Sequence, residues 1–206
     1  MARFDESRSR CVGSTTTNPE LFLVLGGRSV SKGPKEGRSR VLFEIRKYLQ
    51  EDLESMHGTS ERSVDRTQRI LVPLSPDERI STSALWMCAD LMEPHHPIVN
   101  VLHLRVWDRV RGSRFFLETE EEANEIVNKA IQWFESLGLV SYGNVMESSR
   151  VDLAQSIVWW ADSNSIDLIV VGSRPRRLVT KTLLGSTSYE IERLSSCPVI
   201  VVHPIC

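Results

Sequence analysis

The sequence predicts an α/β protein with a five-stranded parallel sheet and helices on both faces. From residue 69 onward, short apolar runs alternate with longer stretches in which apolar residues recur at helical spacing. The first of these runs is wholly apolar, which is typical of a strand buried on both faces of a parallel sheet. With 41% hydrophobic and 25% charged residues, the composition is that of a globular protein.

The first predicted strand is the run Ile70-Leu71-Val72-Pro73-Leu74. Four more are predicted at 98–106, 140–146, 167–171 and 198–203. Residues 108–118, which contain three arginines, are predicted to form a loop. Ligands of such sheets bind beyond the carboxyl ends of the strands, where the strand order reverses. The loops after Leu74, Leu104 and Val171 are therefore the first places to look for a site.

Capping signals mark the predicted helices. Ser75, Pro76 and Glu78 fit the N-cap, first and third positions of a helix, which together form a capping box. Thr119 is predicted to cap a helix that runs to residue 137. The remaining helices are predicted at 152–163 and 187–195. In the last of these, Thr187 and Glu190 would form a second capping box without any ligand.

Residues 1–68 are predicted to be an N-terminal extension, and residues 69–206 the folded domain. The extension is rich in Ser, Thr, Arg and Gly, so we expect it to be largely irregular. It contains one short apolar stretch at 21–25. Apolar residues recur at helical spacing over 41–56, which predicts an amphipathic helix there.

Charge and cysteine usage exclude several classes of protein. The net charge is −2, which argues against binding of nucleic acid through bulk charge. Residues 70–206 alone hold 12 basic and 17 acidic side chains, so the domain is acidic. No apolar run approaches the ~20 residues of a membrane helix, so no membrane insertion is expected. Four widely spaced cysteines favour reduced thiols, and hence a cytoplasmic protein.

The stretch 167–202, DLIVVGSRPRRLVTKTLLGSTSYEIERLSSCPVIVV, resembles the universal stress protein (UspA-like) family. Nucleotide-binding members of that family carry a Gly, two residues, a second Gly, nine residues and then Gly-Ser or Gly-Thr. In this sequence Gly172, Pro175 and Gly185-Ser186 stand at those positions, so a proline replaces the second glycine. The resemblance extends over Arg69–Pro204. It implies a Rossmann-like, adenine nucleotide alpha hydrolase-like fold with strand order 3-2-1-4-5.

The resemblance implies a site for ATP or another adenine nucleotide at this motif. Glycines and a helix N-terminus let backbone N–H groups converge on phosphates, and Thr187 lies in this segment. Pro175 lacks an N–H and fixes φ, so it removes a donor. Arg174 and Arg176 either replace that donor with charge or belong to a solvated basic loop.

Two further positions of the implied site lie on the first two strands. ATP-binding relatives place an Asp after the first strand, and Ser75 stands there in this sequence. The backbone position beside the adenine corresponds to Leu104, where the identity of the side chain matters little. Both Ser75 and Pro175 therefore depart from the pattern of the ATP-binding members.

The leading hypothesis is a regulatory or binding domain in stress response or signalling, with impaired or lost ATP binding. One alternative is an ATP-binding member with weak hydrolysis. Another is a soluble relative of the cytoplasmic regulatory tail of a permease or antiporter, with a transporter or another protein as partner. The sequence holds no recognisable catalytic set, and His95-His96 lacks a third ligand for a metal.

The family resemblance also implies dimerisation through the last strand. In this sequence that strand contains four apolar residues at the predicted edge of the sheet, Val199, Ile200, Val201 and Val202. An unpaired apolar edge invites pairing with a second chain, so a homodimer is expected.

Overall fold

The structure is a computed structural model that describes residues 67–91, 97–174 and 186–202, together with the backbone of strands at 21–25 and 28–32. The strands are β1 (Leu21–Leu25), β2 (Arg28–Lys32), β3 (Arg69–Leu74), β4 (Ile98–Val110), β5 (Ser113–Phe116), β6 (Ser141–Ser149), β7 (Leu168–Gly172) and β8 (Val199–Val202). The helices are α1 (Glu78–Leu91), α2 (Glu120–Ser136), α3 (Leu153–Ser163) and α4 (Ser186–Leu194).

The five predicted strands form one parallel sheet in the order β6-β4-β3-β7-β8. Numbered along the chain, this is the order 3-2-1-4-5, so the predicted fold class and order are confirmed. Strands β1, β2 and β5, which the sequence does not predict, join the same sheet in antiparallel pairs. Within the described residues the sheet therefore has eight strands rather than five.

Helices cover both faces of the sheet, as predicted. On one face, α1 and α2 pack on Ile70, Val72 and Leu74 of β3. On the opposite face, α3 and Ile191 of α4 pack on a second cluster that includes Leu71. These residues of β3 are all buried, which is why the strand reads as one continuous apolar run.

Helix α2 begins where its capping signal predicts. The Glu122 backbone N–H donates to Thr119 Oγ1 at 3.2 Å, and the Thr119 N–H donates to Glu122 Oε2 at 2.8 Å. These two reciprocal bonds are a complete capping box, so the prediction for Thr119 is confirmed.

A β-hairpin replaces the loop that was predicted at 108–118. Strand β4 continues to Val110, and a two-residue turn at Arg111-Gly112 leads into β5. The φ angles of Arg111 and Gly112 are 51° and 87°, which is the backbone of a type I′ turn. The loop prediction was wrong because Arg-Gly is not the Asn-Gly or Asp-Gly pair that signals such a turn.

The N-terminal hairpin of β1 and β2 covers the far edge of β8. Leu21 lies opposite Val202 and Val24 opposite Val199 in an antiparallel ladder. Because β7 pairs with the other edge, both edges of β8 are occupied within one chain. The premise that Val199–Val202 form an unpaired edge was therefore wrong, while the homodimer itself stays a prediction. The helix predicted at 41–56 lies outside the described residues, and the division at residue 68 also stays a prediction.

Candidate functional site

The strand order reverses between β3 and β7. Strand β3 leads through α1 on one face of the sheet to its neighbour β4. Strand β7 leads through α4 on the opposite face to its neighbour β8, which lies in the other direction. In open α/β sheets this reversal leaves a crevice beyond the carboxyl ends of the two strands, where ligands bind. The loops after Leu74 and Val171 border that crevice.

Ser75, directly after β3, does not have the capping role that the sequence predicts for it. Helix α1 begins at Glu78, and Asp77 caps it: the Arg79 N–H donates to Asp77 Oδ1 at 3.2 Å. Ser75 Oγ instead accepts from the Asp77 N–H at 3.2 Å. The prediction of Ser75 as N-cap was wrong because Asp is an equally good N-cap residue and stands two positions closer to the helix.

Ser81, which the sequence analysis did not single out, holds the backbone of Ser75 in place. The Ser75 N–H donates to Ser81 Oγ at 2.8 Å, and that hydroxyl donates to the Ser75 carbonyl oxygen at 2.9 Å. The one sign of this role in the sequence is that Ser81, a small hydroxyl residue, stands beside the apolar stripe of α1. These bonds fix the path of the chain as it leaves β3.

Asp77 is the carboxylate that the structure places at the crevice. Its side chain is about a quarter exposed, and Arg174 approaches from the end of β7 with Nε 3.8 Å from Asp77 Oδ2. Arg79 lies 3.6 Å from the other carboxylate oxygen. Both arginines are well exposed, so each ion pair contributes little to stability, roughly 0–1 kcal/mol. The Asp77 carboxylate nevertheless faces two cationic groups of its own chain, those of Arg79 and Arg174.

Gly172 ends β7 against the first turn of α1. A Cβ at this position would collide with the backbone carbonyl and a side-chain methyl of Ile80. The glycine is therefore required for the close approach of strand and helix. Gly172 is also the first glycine of the motif found in nucleotide-binding family members, and this close packing explains the glycine without any ligand.

The N-terminus of α4 is fastened to the end of β7. Ser188 Oγ donates to Ser173 Oγ at 2.9 Å, and both side chains are buried. Helix α4 begins at Ser186, so Thr187 lies inside its first turn rather than at the N-cap that the sequence predicts. Of the other motif residues, Pro175, Arg176 and Gly185 lie outside the described residues.

Leu104 lies on the opposite side of β3 from β7. The β3 ladder on β4 ends at His103, and on the same edge of β4 the β5 ladder begins only at Trp107. Strand β6 occupies the other edge of β4 from Val99 to Trp107, so β3 and β5 must both pair with the edge opposite β6. The Leu104 side chain is buried, but its backbone lies in the interval between the two ladders. This is the kind of backbone position that the family resemblance implies for an adenine contact.

A buried histidine supports that edge. His103 is fully buried, and its Nε2 lies 2.7 Å from Glu118 Oε1. The Arg105 Nε donates to the Glu118 carbonyl oxygen at 3.2 Å. His103 Nδ1 has no hydrogen-bond partner among the described residues. The contacts to Glu118 hold the chain against β4 as it passes from β5 to α2.

Reactive thiols and metal ligands do not gather at the crevice in the part of the chain that is described. Burial raises the pKa of both the Cys88 and the Cys197 thiols. No group of three His, Cys, Asp or Glu side chains that could hold a metal occurs among the described residues. Among the described helices, none combines the length and hydrophobicity needed to cross a bilayer.

The sheet, its reversal point and the two helix N-termini beside it define a Rossmann-like α/β domain. A model of the universal stress protein family matches residues 66–203, and the chain belongs to this family.

Relatives of known sequence and structure agree with this assignment. A universal stress protein of Mycolicibacterium smegmatis is 28% identical over 157 residues, which are 72% of this chain and 50% of that relative. The chain thus spans about half the length of this curated relative. Among solved structures, a universal stress protein of Archaeoglobus fulgidus has a TM-score of 0.53 at 22% identity and covers 66% of this chain and 99% of its own. A family member from Burkholderia pseudomallei has a TM-score of 0.53 at 18% identity over 70% of this chain and all of its own.

Proposed function

We propose that the protein is a regulatory binding module of the universal stress protein family in which nucleotide binding is impaired. The observation that carries the proposal is the engagement of the Ser75–Asp77 segment within its own chain. Ser81 binds both backbone groups of Ser75, and the Asp77 N–H occupies the Ser75 hydroxyl. Asp77 caps α1 and faces Arg174. Each of these polar groups thus already has a partner within the chain, with which a nucleotide would have to compete.

The missing charge at residue 75 supports the same proposal. A carboxylate there could accept strong hydrogen bonds from the hydroxyl groups of a ribose. A serine hydroxyl is a weaker acceptor because it carries no charge. Pro175 would remove one backbone donor from the phosphate side. Weaker contacts to both the ribose and the phosphates lower the affinity for a nucleotide more than either change alone.

The first experiment is to denature and extract the purified protein and to look for co-purified nucleotide. Calorimetric titration with ATP and Mg²⁺ follows. We expect no stoichiometric nucleotide and no measurable binding. The double variant Ser75→Asp with Pro175→Gly is expected to bind ATP.

Matched variants separate the two causes. Ser75→Asn has the size of the aspartate without its charge, and Pro175→Ala returns the N–H without the conformational freedom of glycine. We expect the combination of these two controls to bind much more weakly than the Asp and Gly combination. Tight binding of ATP by the unmodified protein would overturn the proposal, as would failure of the Asp and Gly variant to gain any affinity.

An ATP-binding protein with weak hydrolysis is the second candidate. It is supported by the position of the Leu104 backbone between two ladders and by Arg174, whose side chain is 74% exposed and free to turn toward a phosphate. Binding by the unmodified protein with slow release of phosphate would favour this candidate.

Membership of the family supports a proposal about the cellular role. We place the protein in the cytoplasm, as a module for stress response or signalling that acts through a protein partner. Homodimerisation belongs to the same proposal, but pairing through β8 requires β1 to leave the edge that it occupies.

A further inference from the structure

The hairpin formed by β4 and β5 projects beyond the rest of the sheet. Strand β6 pairs with β4 only as far as Trp107, opposite Ser149. Residues 108–115, the hairpin tip, continue past that point as a two-stranded ribbon. At about 3.4 Å per residue, its three residues on each strand reach roughly 10 Å outward. The tip is convex, whereas sites for small ligands are concave.

Three arginines gather at the hairpin tip at an energetic cost. Arg109 lies directly opposite Arg114 in the ladder, and like charges in such a pair destabilise a hairpin. Arg111 occupies the turn with a positive φ, which is unfavourable for a residue with a Cβ. All three side chains are exposed on a domain whose residues 70–206 hold more acidic than basic groups. An anionic partner would offset this repulsion.

Neighbouring acidic groups neutralise only part of this charge. Arg114 Nη1 lies 3.8 Å from Glu147, and its guanidinium stacks 4.6 Å above the Trp107 ring. Asp108, the one acid of the tip, is engaged by Arg150 at 2.8 Å. Arg109 and Arg111 have no ion pair among the described residues.

The opposite face of the same hairpin is open and carries apolar side chains beside Asp108 and Ser113. Side chains alternate along each strand, so residues 106, 108 and 110 share a face with 113, 115 and 117. On that face Val110, Phe115 and Leu117 are 54%, 60% and 52% exposed. A projecting ribbon therefore carries basic groups on one face, and on the other three exposed apolar side chains beside the neutralised Asp108–Arg150 pair.

We propose that the hairpin tip docks on an anionic lipid surface, with its arginines at the headgroup phosphates and Phe115 and Val110 in the interface. A lipid surface offers both chemistries at one depth, since interfacial segments bury apolar side chains about 5–10 Å into the headgroup region. That depth matches the length of the tip. This inference is independent of the nucleotide crevice and describes a protein that lies on a membrane without crossing it.

The test is sedimentation of the full chain with vesicles. Vesicles of phosphatidylcholine with phosphatidylglycerol are expected to bind it, vesicles of phosphatidylcholine alone are not, and added salt should release it. Arg109→Gln with Arg111→Gln should lower the partition coefficient about thirtyfold, since each basic side chain at such a surface contributes roughly fivefold. Phe115→Ser should lower it without changing the salt dependence.

Matched variants elsewhere on the domain control for charge and for hydrophobicity. Arg79→Gln with Lys129→Gln also removes two positive charges, but from positions outside the hairpin. Trp159→Ser removes an apolar side chain that is 63% exposed on α3. Both should bind vesicles like the unmodified protein. Absence of binding to anionic vesicles would overturn the proposal, and so would equal losses in the hairpin and control variants. Binding to an acidic polypeptide but not to the vesicles would assign the tip to a protein partner and overturn it as well.

Discussion

At the scale of single residues, the described side of the crevice is explained by contacts within the chain. Gly172 allows β7 to approach Ile80, and Ser81 holds the backbone of Ser75. Arg174 faces Asp77, which itself caps α1. Each of these residues has a structural role that would persist without any ligand. This is why the family motif alone does not establish nucleotide binding.

Gly172→Ala tests the packing role directly. The added Cβ would meet the backbone carbonyl of Ile80, which cannot move without shifting α1. We expect the free energy of unfolding to fall by about 1–3 kcal/mol, the range for overpacked cores, in urea titrations followed by circular dichroism.

Gly143→Ala is the control for this substitution. The three atoms nearest to its added Cβ belong to the side chains of Val127 and Ile131, not to the backbone. Its cost should therefore be smaller, and Ile131→Val should reduce it further. Equal losses at the two glycines would contradict the role assigned to the Ile80 backbone.

The thiols provide a second test at the same scale. Burial raises the pKa of Cys88 and Cys197, so both stay protonated near neutral pH and react slowly. In a Cys11→Ser, Cys206→Ser background, we expect a disulfide reagent to modify the remaining thiols at least tenfold faster in denaturant than in buffer. Fast modification of Cys88 in buffer would show that the core opens more readily than its packing indicates.

At the scale of elements, the sequence predicts those helices and strands that depend on the local pattern of apolar and polar residues. The parallel strands β3, β7 and β8 are buried on both faces, so their apolar runs are visible, as in Ile70–Leu74, whereas β6 is mostly part-exposed and its run is not continuous. The start of α1 was misplaced because Ser75 and Asp77 are both good caps, and the choice between them depends on the bonds to Ser81. Strands β1, β2 and β5 were missed because they are formed by pairing at sheet edges. That pairing depends on distant partners or on an unusual turn.

The pairing of β1 with β8 makes a prediction about self-association. Ser173 N–H donates to the Val202 carbonyl in the β7 ladder, so Val199 and Val201 direct their backbone groups toward β1. Phe22 lies opposite Val201, and Phe22→Pro would remove a donor from that ladder. We expect this variant to release the β8 edge and to raise the dimer fraction in sedimentation velocity.

Phe22→Ala separates backbone from side-chain effects in the same experiment. It retains the N–H, so it should leave self-association close to that of the unmodified protein. An unchanged dimer fraction in the proline variant would mean that β1 is not what blocks the edge.

At the scale of the whole molecule, the chain combines an acidic α/β domain with two additions at the margins of its sheet. One addition covers β8, and the other extends β4 into the basic hairpin. The location of the crevice follows from the strand order. Ser75 follows β3 and Gly172 ends β7 beside it, while Leu104 lies on the neighbouring strand β4, and their joint role in binding a nucleotide stays a prediction. The partners of these residues could not be predicted, because they come from the first turn of α1 and from edge pairing.

The division of the chain at residue 68 leads to the last prediction. The described members of both hydrophobic clusters begin at Ile70, so residues 67–206 hold two packed clusters of their own. We expect a fragment of these residues to unfold in one cooperative urea transition, with the far-ultraviolet circular dichroism of an α/β protein. It lacks β1, so it should also self-associate through β8, and Val201→Pro should abolish that association. A fragment without a cooperative transition would show that the N-terminal hairpin is part of the folding unit rather than an addition to it.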